Sequence, residues 1–259
     1  EMAGTKHQRP PVLCDLDGVI WLGDEPVPGS SEAVALLRAS GHRVLFVTNF
    51  SFARVEETEA KLSRHGIEAV GEVVTAAQAA GHLVQPGERV LVCAGPGVVQ
   101  AVEAQQAVVV DEGRIDTVIV GFHPTFDFEA MTRASSAVRS GARLIGTNDD
   151  ATYPTPTGPI PGGGAILASI AVASGVSPIV AGKPHRPMAM LVQERLGGRG
   201  AEAIMVGDRP DTDGLFAQQL GCRYGHVWSG VARRGSTITP RPDLVADDLS
   251  GLAKLILAI

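Results

Sequence analysis

Short apolar runs alternate with amphipathic stretches along almost the whole chain, and this alternation restricts the fold more than any other sequence feature. Val12-Leu13-Cys14 reads as a brief buried strand. After a Gly/Pro-rich loop from Gly23 to Gly29, Ser30 is placed to cap a helix that carries Val34 and Leu37 and stops at Gly41. Val44 to Val47 is the next strand. Strand, helix, strand is the pattern of βαβ units, whose strands lie parallel in one sheet. The middle of the chain repeats it, with strands at Arg89 to Cys93, Thr117 to Val120 and Arg143 to Gly146. The spacing predicts a helix from Asp127 to Ser140 with Phe128, Met131, Ser135 and Val138 on one face and Gly141 as the stop. A Pro/Gly-rich passage, Tyr153 to Gly164, is expected to break all regular structure. A helix from Ala165 to Ala173 and strands at Ile179 to Ala181 and Ala203 to Val206 follow.

Composition narrows the class of function. The 259 residues, 44% of them hydrophobic, suffice for one large domain or two smaller ones with a buried core. A net charge of -6 argues against a nucleic-acid surface, and the one close basic cluster, Arg233-Arg234, reads as a solvated loop. No apolar run reaches membrane-spanning length, so no membrane partner is expected. Residues Glu1 to Pro11 are polar and lack the apolar region of a signal peptide. Cys14, Cys93 and Cys222 lie far apart, and the first two sit in apolar runs as small core residues. The expectation is a soluble, reduced, cytoplasmic protein without thiolate-bound metal.

The chemistry gathers at strand ends. Asp15-Leu16-Asp17-Gly18 directly follows the first strand, and ligands of open parallel sheets bind beyond the carboxyl ends of strands. Two acidic side chains there are costly to bury unless paired or metal-bound. Taken alone, an Asp-rich turn is ordinary turn chemistry. Three further strand ends add to it: Thr48-Asn49, able to hold a phosphate oxygen; Lys183-Pro184, a cation of short reach; and Gly207-Asp208 to Asp213. Each has a bland alternative, Thr48 as a strand-end cap, Lys183 as a turn lysine and Asp208 as a helix N-cap. Four coincidences at one sheet edge are harder to dismiss. A carboxylate attacking a phosphoryl group must overcome repulsion between negative charges, which a divalent cation and a lysine remove. Mg2+ takes carboxylate oxygens and waters, and Asp15 and Asp208 can supply such oxygens. Asp17, two residues on, can protonate the leaving oxygen and then deprotonate water.

These residues resemble the haloacid dehalogenase superfamily of phosphohydrolases. Asp15 to Val19, Thr48-Asn49, Gly182-Lys183-Pro184 and Gly207-Asp208 to Thr212-Asp213 match its four motifs in order. Val118 to Phe128, Gly146 to Pro156 and Pro161 to Gly164 are similar to the type IIA branch, which carries a large α/β cap between the second and third motifs. That branch includes nucleotide monophosphatases, p-nitrophenyl-phosphatase-like enzymes, glycerol-3-phosphate and phosphoglycolate phosphatases, and pyridoxal phosphatase. The resemblance implies an α/β fold: a Rossmann-like three-layer core with a parallel sheet, from residues 1–79 and 164–259, and an inserted α/β cap at 80–163. It implies Asp15 as nucleophile and metal ligand, and Asp17 as general acid/base with its carbonyl on the metal. Thr48 and Asn49 would bind the phosphoryl group, Lys183 would neutralise it, Asp208 would ligate Mg2+, and Asp213 would hold the metal's outer waters. The substrate would be a small phosphorylated metabolite, lying between core and cap, and the cap could mediate a homodimer.

Phe50, His123 and Gly214 depart from residues common in the branch. His123 and His185 read as polar loop residues and His226 as structural; Pro161 to Gly164 reads as a hinge rather than a phosphate cradle; Asp149 and Asp150 fit a pocket or a solvated turn equally. Two rivals remain at this point. One is a receiver-like signalling domain with an acceptor Asp, which would lack the second acid and the cap. The other is a catalytically dead, ligand-binding relative, against which the intact set of Asp15, Asp17, Lys183 and Asp208 argues.

Overall fold

The structure, a computed structural model, describes residues 9–259 except 154 and 156. The first eight residues of the polar N-terminal segment, and Pro154 and Pro156 of the proline-rich passage, therefore lie outside the described residues. The chain forms two compact units, one from Glu1–Val47, Leu62–Glu72 and Gln193–Ile259, the other from Thr48–Lys61 and Val73–Val192. Segment 80–163 falls wholly within the second. Both units are α/β with a parallel sheet, the class expected from the alternating pattern.

In the first unit, parallel strands run in the order Leu244–Ala246, Arg223–Val227, Ile204–Gly207, Val12–Cys14, Val44–Thr48. Val12–Cys14 is central, with Cys14 opposite Val206 on one side and Phe46 on the other. Flanking strands leave it no open edge, and the helices of a parallel sheet cover both faces, which is why its residues are uniformly apolar and buried. Helix Ser30–Ala39 buries Ala33, Val34 and Leu37, and it packs against helix Leu249–Leu257, which buries Leu249, Leu252, Ala253 and Ile256. The helix start differs from expectation. Gly29, left-handed at φ 79°, is the N-cap, and the Ser30 hydroxyl turns inward to donate to the Ile20 carbonyl at 3.2 Å. Burial of the serine decides this, since an inward hydroxyl needs a partner.

In the second unit, the parallel order is Ile179–Val180, Arg143–Gly146, Thr117–Val120, Arg89–Cys93, Val108–Val109. Helices Phe128–Arg139 and Gly163–Ser174 pack together over Val118, Val120 and Leu144, with Leu167 and Ile170 of the second helix in the same core. Asp127 caps the former, accepting from the Ala130 N–H at 2.8 Å. Phe128 does not share the buried face: it is 76% exposed, whereas Ala134, Ser135 and Val138 are buried and Met131 partly so. Phe128 is the first helical residue, and the buried stripe begins a turn later.

The Pro/Gly-rich passage is more ordered than expected. Thr152–Tyr153 pairs antiparallel with Ile160–Pro161, and the next helix starts at Gly163 rather than Ala165. A β-carbon on Gly162 would lie 2.4 Å from the Asp150 carbonyl oxygen, and one on Gly164 would lie 2.4 Å from Asp149 backbone. These glycines let the helix start close against the turn at Asp149 and Asp150. Among the described residues no helix is long and apolar enough to cross a membrane.

Candidate active site

In the first unit the chain leaves the central strand in a tight loop. The Leu16 carbonyl accepts from the N–H groups of Val19 (3.2 Å) and Ile20 (2.8 Å), and the Gly18 N–H donates to the Trp21 carbonyl at 2.7 Å. Gly18 holds φ 83°, a conformation that favours glycine. The space requires glycine too, because a β-carbon there would lie 2.5 Å from Asp208 Cγ. The Asp15 carboxylate accepts from the Leu16 N–H at 2.8 Å, and Asp17 accepts from the Trp21 indole N–H at 3.1 Å. The indole fixes the orientation of the second acid, which is half-buried while Asp15 is buried.

Strand Ile204–Gly207 delivers the other acids. Asp208 follows it and accepts from the Val231 N–H at 2.7 Å; Asp213 lies in the turn Pro210–Gly214 and accepts from the Arg209 N–H at 3.1 Å. Oxygens of Asp15, Asp208 and Asp213 all lie within 4.8 Å of one another, and all three residues are buried. Like charges gathered this closely, away from water, call for a cation. The donors are carboxylate oxygens only, which suits a hard divalent ion such as Mg2+. The cradle is closed by glycine again: a β-carbon on Gly230 would lie 1.8 Å from an Asp208 oxygen, and the Ser229 hydroxyl donates to the Gly18 carbonyl at 2.7 Å. Ser229 and Gly230 were missed from sequence, although they too follow a strand, Arg223–Val227.

In the second unit the structure brings Asn49 and Lys183 together. Asn49 Oδ1 accepts the Lys183 N–H at 2.7 Å, while Nδ2 donates to the Lys183 carbonyl at 3.0 Å and to Asp150 Oδ2 at 3.2 Å. Asn148 donates to the Asn49 carbonyl at 3.0 Å. Thr48 ends its strand, and its hydroxyl accepts the Phe50 N–H at 3.0 Å. Asp149, which fits a pocket or a solvated turn equally in sequence, and His185, read there as a polar loop residue, meet at 2.8 Å. The hydrogen bond from His185 lowers the Asp149 carboxyl below its ordinary value, and the bond to Asp149 raises the His185 imidazole. Aromatic rings gather nearby: Tyr153 lies 5.9 Å from Phe50 and 5.3 Å from Phe122 between centroids. His123 shares a 3.3 Å hydrogen bond with the Thr125 hydroxyl.

His226, read from sequence as structural, lies inside its strand. It is fully buried in its strand, Nδ1 shares a 2.8 Å hydrogen bond with the Tyr224 hydroxyl, and burial lowers its pKa. An open cavity of about 680 Å3 in the second unit, lined by Asp111, Glu112, Arg114 and Arg133 among others, contains none of the motif residues.

Known proteins share this arrangement of sequence and fold. A family described as haloacid dehalogenase-like hydrolase matches residues 12–107, and one described as HAD-hydrolase-like matches 180–252. The chain is 34% identical over 226 residues to an acid sugar phosphatase of Staphylococcus saprophyticus, covering 86% of this chain and 87% of that one. The fold matches p-nitrophenyl phosphatase from Archaeoglobus fulgidus with a TM-score of 0.90 at 27% identity, over 96% of this chain and 99% of that one. It matches glycerol phosphate phosphatase from Mycobacterium tuberculosis in complex with magnesium with a TM-score of 0.86 at 32% identity, over 95% of this chain and 77% of that one. The same enzyme was also solved in complex with calcium.

Proposed function

Because the chain belongs to the haloacid dehalogenase-like hydrolases and is a phosphatase, we propose that it hydrolyses small phosphomonoesters through a phosphoryl group carried on Asp15, with Mg2+ as cofactor. The observation that carries the proposal is the buried convergence of Asp15, Asp208 and Asp213 within 4.8 Å at the ends of two adjacent parallel strands. Membership of a hydrolase family sets the receiver-like signalling reading aside.

In the proposed reaction an Asp15 carboxylate oxygen attacks phosphorus, and the bond from phosphorus to the ester oxygen breaks. Asp17 gives its proton to the departing oxygen. In the second half, Asp17 takes a proton from water, the resulting hydroxide attacks the same phosphorus, and the Asp15–phosphorus bond breaks to leave inorganic phosphate. Such acid-base help is worth on the order of 100- to 10,000-fold. Asp15, Asp208 and the Asp17 carbonyl would hold the cation, with Asp213 on its outer waters. When bound, the ion supplies positive charge that offsets the carboxylates and the phosphoryl oxygens. Thr48, Asn49 and Lys183 would hold and neutralise the phosphoryl group, a role that rests on the order of the four motifs.

The organic part of the substrate would be read by the inserted cap, 80–163, since the motif residues address only phosphate and metal. The relatives named for acid sugars, glycerol phosphate and p-nitrophenyl phosphate favour a small ester and do not choose among them. A homodimer through the cap and a cytoplasmic setting belong to the same proposal and rest on the resemblance and the composition.

The experiment is p-nitrophenyl phosphate hydrolysis with and without Mg2+, by the native protein and by Asp15→Asn. The variant loses both the attacking oxygen and a ligand charge, so turnover should fall by several orders of magnitude with the fold kept. Near-native turnover in purified Asp15→Asn, or full activity after exhaustive chelation, would falsify the mechanism.

A further inference from the structure

Lys183 follows a short edge strand of its sheet. Strand Ile179–Val180 is two residues long and, among the described residues, pairs with Arg143–Gly146 at the edge of the sheet. The ladder continues through the Ala181 N–H to the Gly146 carbonyl (2.9 Å) and the Gly182 N–H to the Thr147 carbonyl (2.7 Å). At Lys183 the neighbouring strand no longer supplies the partners. The Asn49 carboxamide takes its place, accepting the Lys183 N–H at 2.7 Å and donating to the Lys183 carbonyl at 3.0 Å. An asparagine carboxamide carries an acceptor oxygen and a donor NH2 in one plane, so one edge of it can pair with a peptide group as a neighbouring strand would, while the second N–H stays available for Asp150. It therefore acts as one further rung of the ladder, supplied from residue 49.

Two details show that the contact is built. A β-carbon on Gly182 would lie 2.6 Å from Asn49 Oδ1 and 2.5 Å from the Thr147 carbonyl oxygen, so only glycine lets the carboxamide approach. Asn49 is itself held: Asn148 donates to its carbonyl at 3.0 Å, Asp150 accepts from its Nδ2 at 3.2 Å, and the Asp150 N–H donates to Asn148 Oδ1 at 3.3 Å. The Lys183 side chain is almost fully buried, so a shift of its backbone cannot be absorbed by swinging through solvent.

From this geometry we infer that the Asn49 side chain is a positioning residue for Lys183: it fixes the Lys183 peptide, and hence the ammonium group, so that its part in holding the phosphoryl group is exerted through Lys183. The inference rests on the phosphatase site proposed above. Displacing a charged group by about 1 Å costs a phosphoryl-transfer site on the order of a hundredfold in rate.

The test is a double-mutant cycle on the full-length protein, reading kcat/KM for p-nitrophenyl phosphate with Mg2+, from Asn49→Ala, Lys183→Met and the pair. If Asn49 works through Lys183, Asn49→Ala loses about a hundredfold in the native background. It then loses less than about threefold once Lys183 is methionine. Gly182→Ala, which pushes the carboxamide away without removing it, should show the same collapse and keeps the test open if Asn49→Ala fails to fold. A crippled Lys183→Met with fully additive Asn49→Ala and Gly182→Ala losses overturns the positioning role and leaves the phosphatase site standing. Native turnover in Lys183→Met overturns both.

Discussion

Asp208→Asn tests the acidic cluster as a matter of folding energy rather than rate. Oxygens of Asp15, Asp208 and Asp213 lie within 4.8 Å of one another. At an effective dielectric of about 20, each ionised pair at that distance opposes folding by at least about 3.5 kcal/mol. Replacing Asp208 removes two of the three pairs, about 7 kcal/mol gross. The backbone donors at Leu16, Arg209 and Val231, with the further partners of these carboxylates, absorb most of this, leaving a net gain of about 1–3 kcal/mol. Asparagine has the same shape and keeps an acceptor for the Val231 N–H, so packing is preserved. In chelator, Asp208→Asn should therefore melt several degrees above the native protein, at about 2–4 °C per kcal/mol for a chain of this size. Mg2+ at a hundred times its Kd should then stabilise the native protein by about 2.7 kcal/mol and the variant by far less. Calorimetry with and without Mg2+ decides it. A variant that melts below the native protein in chelator, with an equal Mg2+ gain in both, would show that these charges are not gathered for a cation.

The Asp149–His185 pair predicts a pH signature. The His185 pKa is raised above 6.5, so its contribution is complete below that value and is lost as pH rises through the raised one. The Asp149 pKa is lowered below 3.8, so its share is complete above that value and is lost as pH falls through the depressed one. The side chains are 36% and 50% exposed, and solvent screening keeps the pair below about 1 kcal/mol. His185→Gln should thus destabilise most between pH 3.8 and 6.5 and least in alkaline buffer; a melting difference independent of pH would refute the pair's role. Tyr153→Ala, which removes the ring between Phe50 and Phe122, should reorder a panel of phosphate esters. It should leave p-nitrophenyl phosphate turnover within about tenfold, and an unchanged ranking would move specificity elsewhere.

The strands and the acidic motif were legible because both are local. Apolar triplets such as Val12–Cys14 announce buried strands, and Asp15 and Asp208 stand immediately after theirs. Asp213 came through the resemblance, and the structure buries it beside the other two. What stayed hidden depends on distant partners. The bond from Asn49 to the Lys183 peptide joins residues 134 positions apart, and Asp149 meets His185 across 36. Neither side chain carries a local sign of its partner. The hairpin Thr152–Tyr153 with Ile160–Pro161 was hidden for another reason, since its proline and glycine content argues against strands unless they are short and peripheral. Phe128 misled because an aromatic at helical spacing looks internal, yet it falls in the first turn, ahead of the buried stripe.

The register of the central strand has a consequence for how the chain is made. Val12 is synthesised well ahead of one of its two neighbours, Ile204, which lies far along the chain. At about 5–20 residues per second, the strand waits on the order of ten to forty seconds for that partner. The parallel sheet of the second unit spans only Arg89 to Val180, so all its strands are available before Ile204 is made. Synthesis therefore favours completion of the second unit while Val12, Leu13 and Cys14 remain without one flank. A chaperone that shields an apolar strand during translation would have a long task at these three residues, and a ribosome stalled before Ile204 would leave that strand exposed.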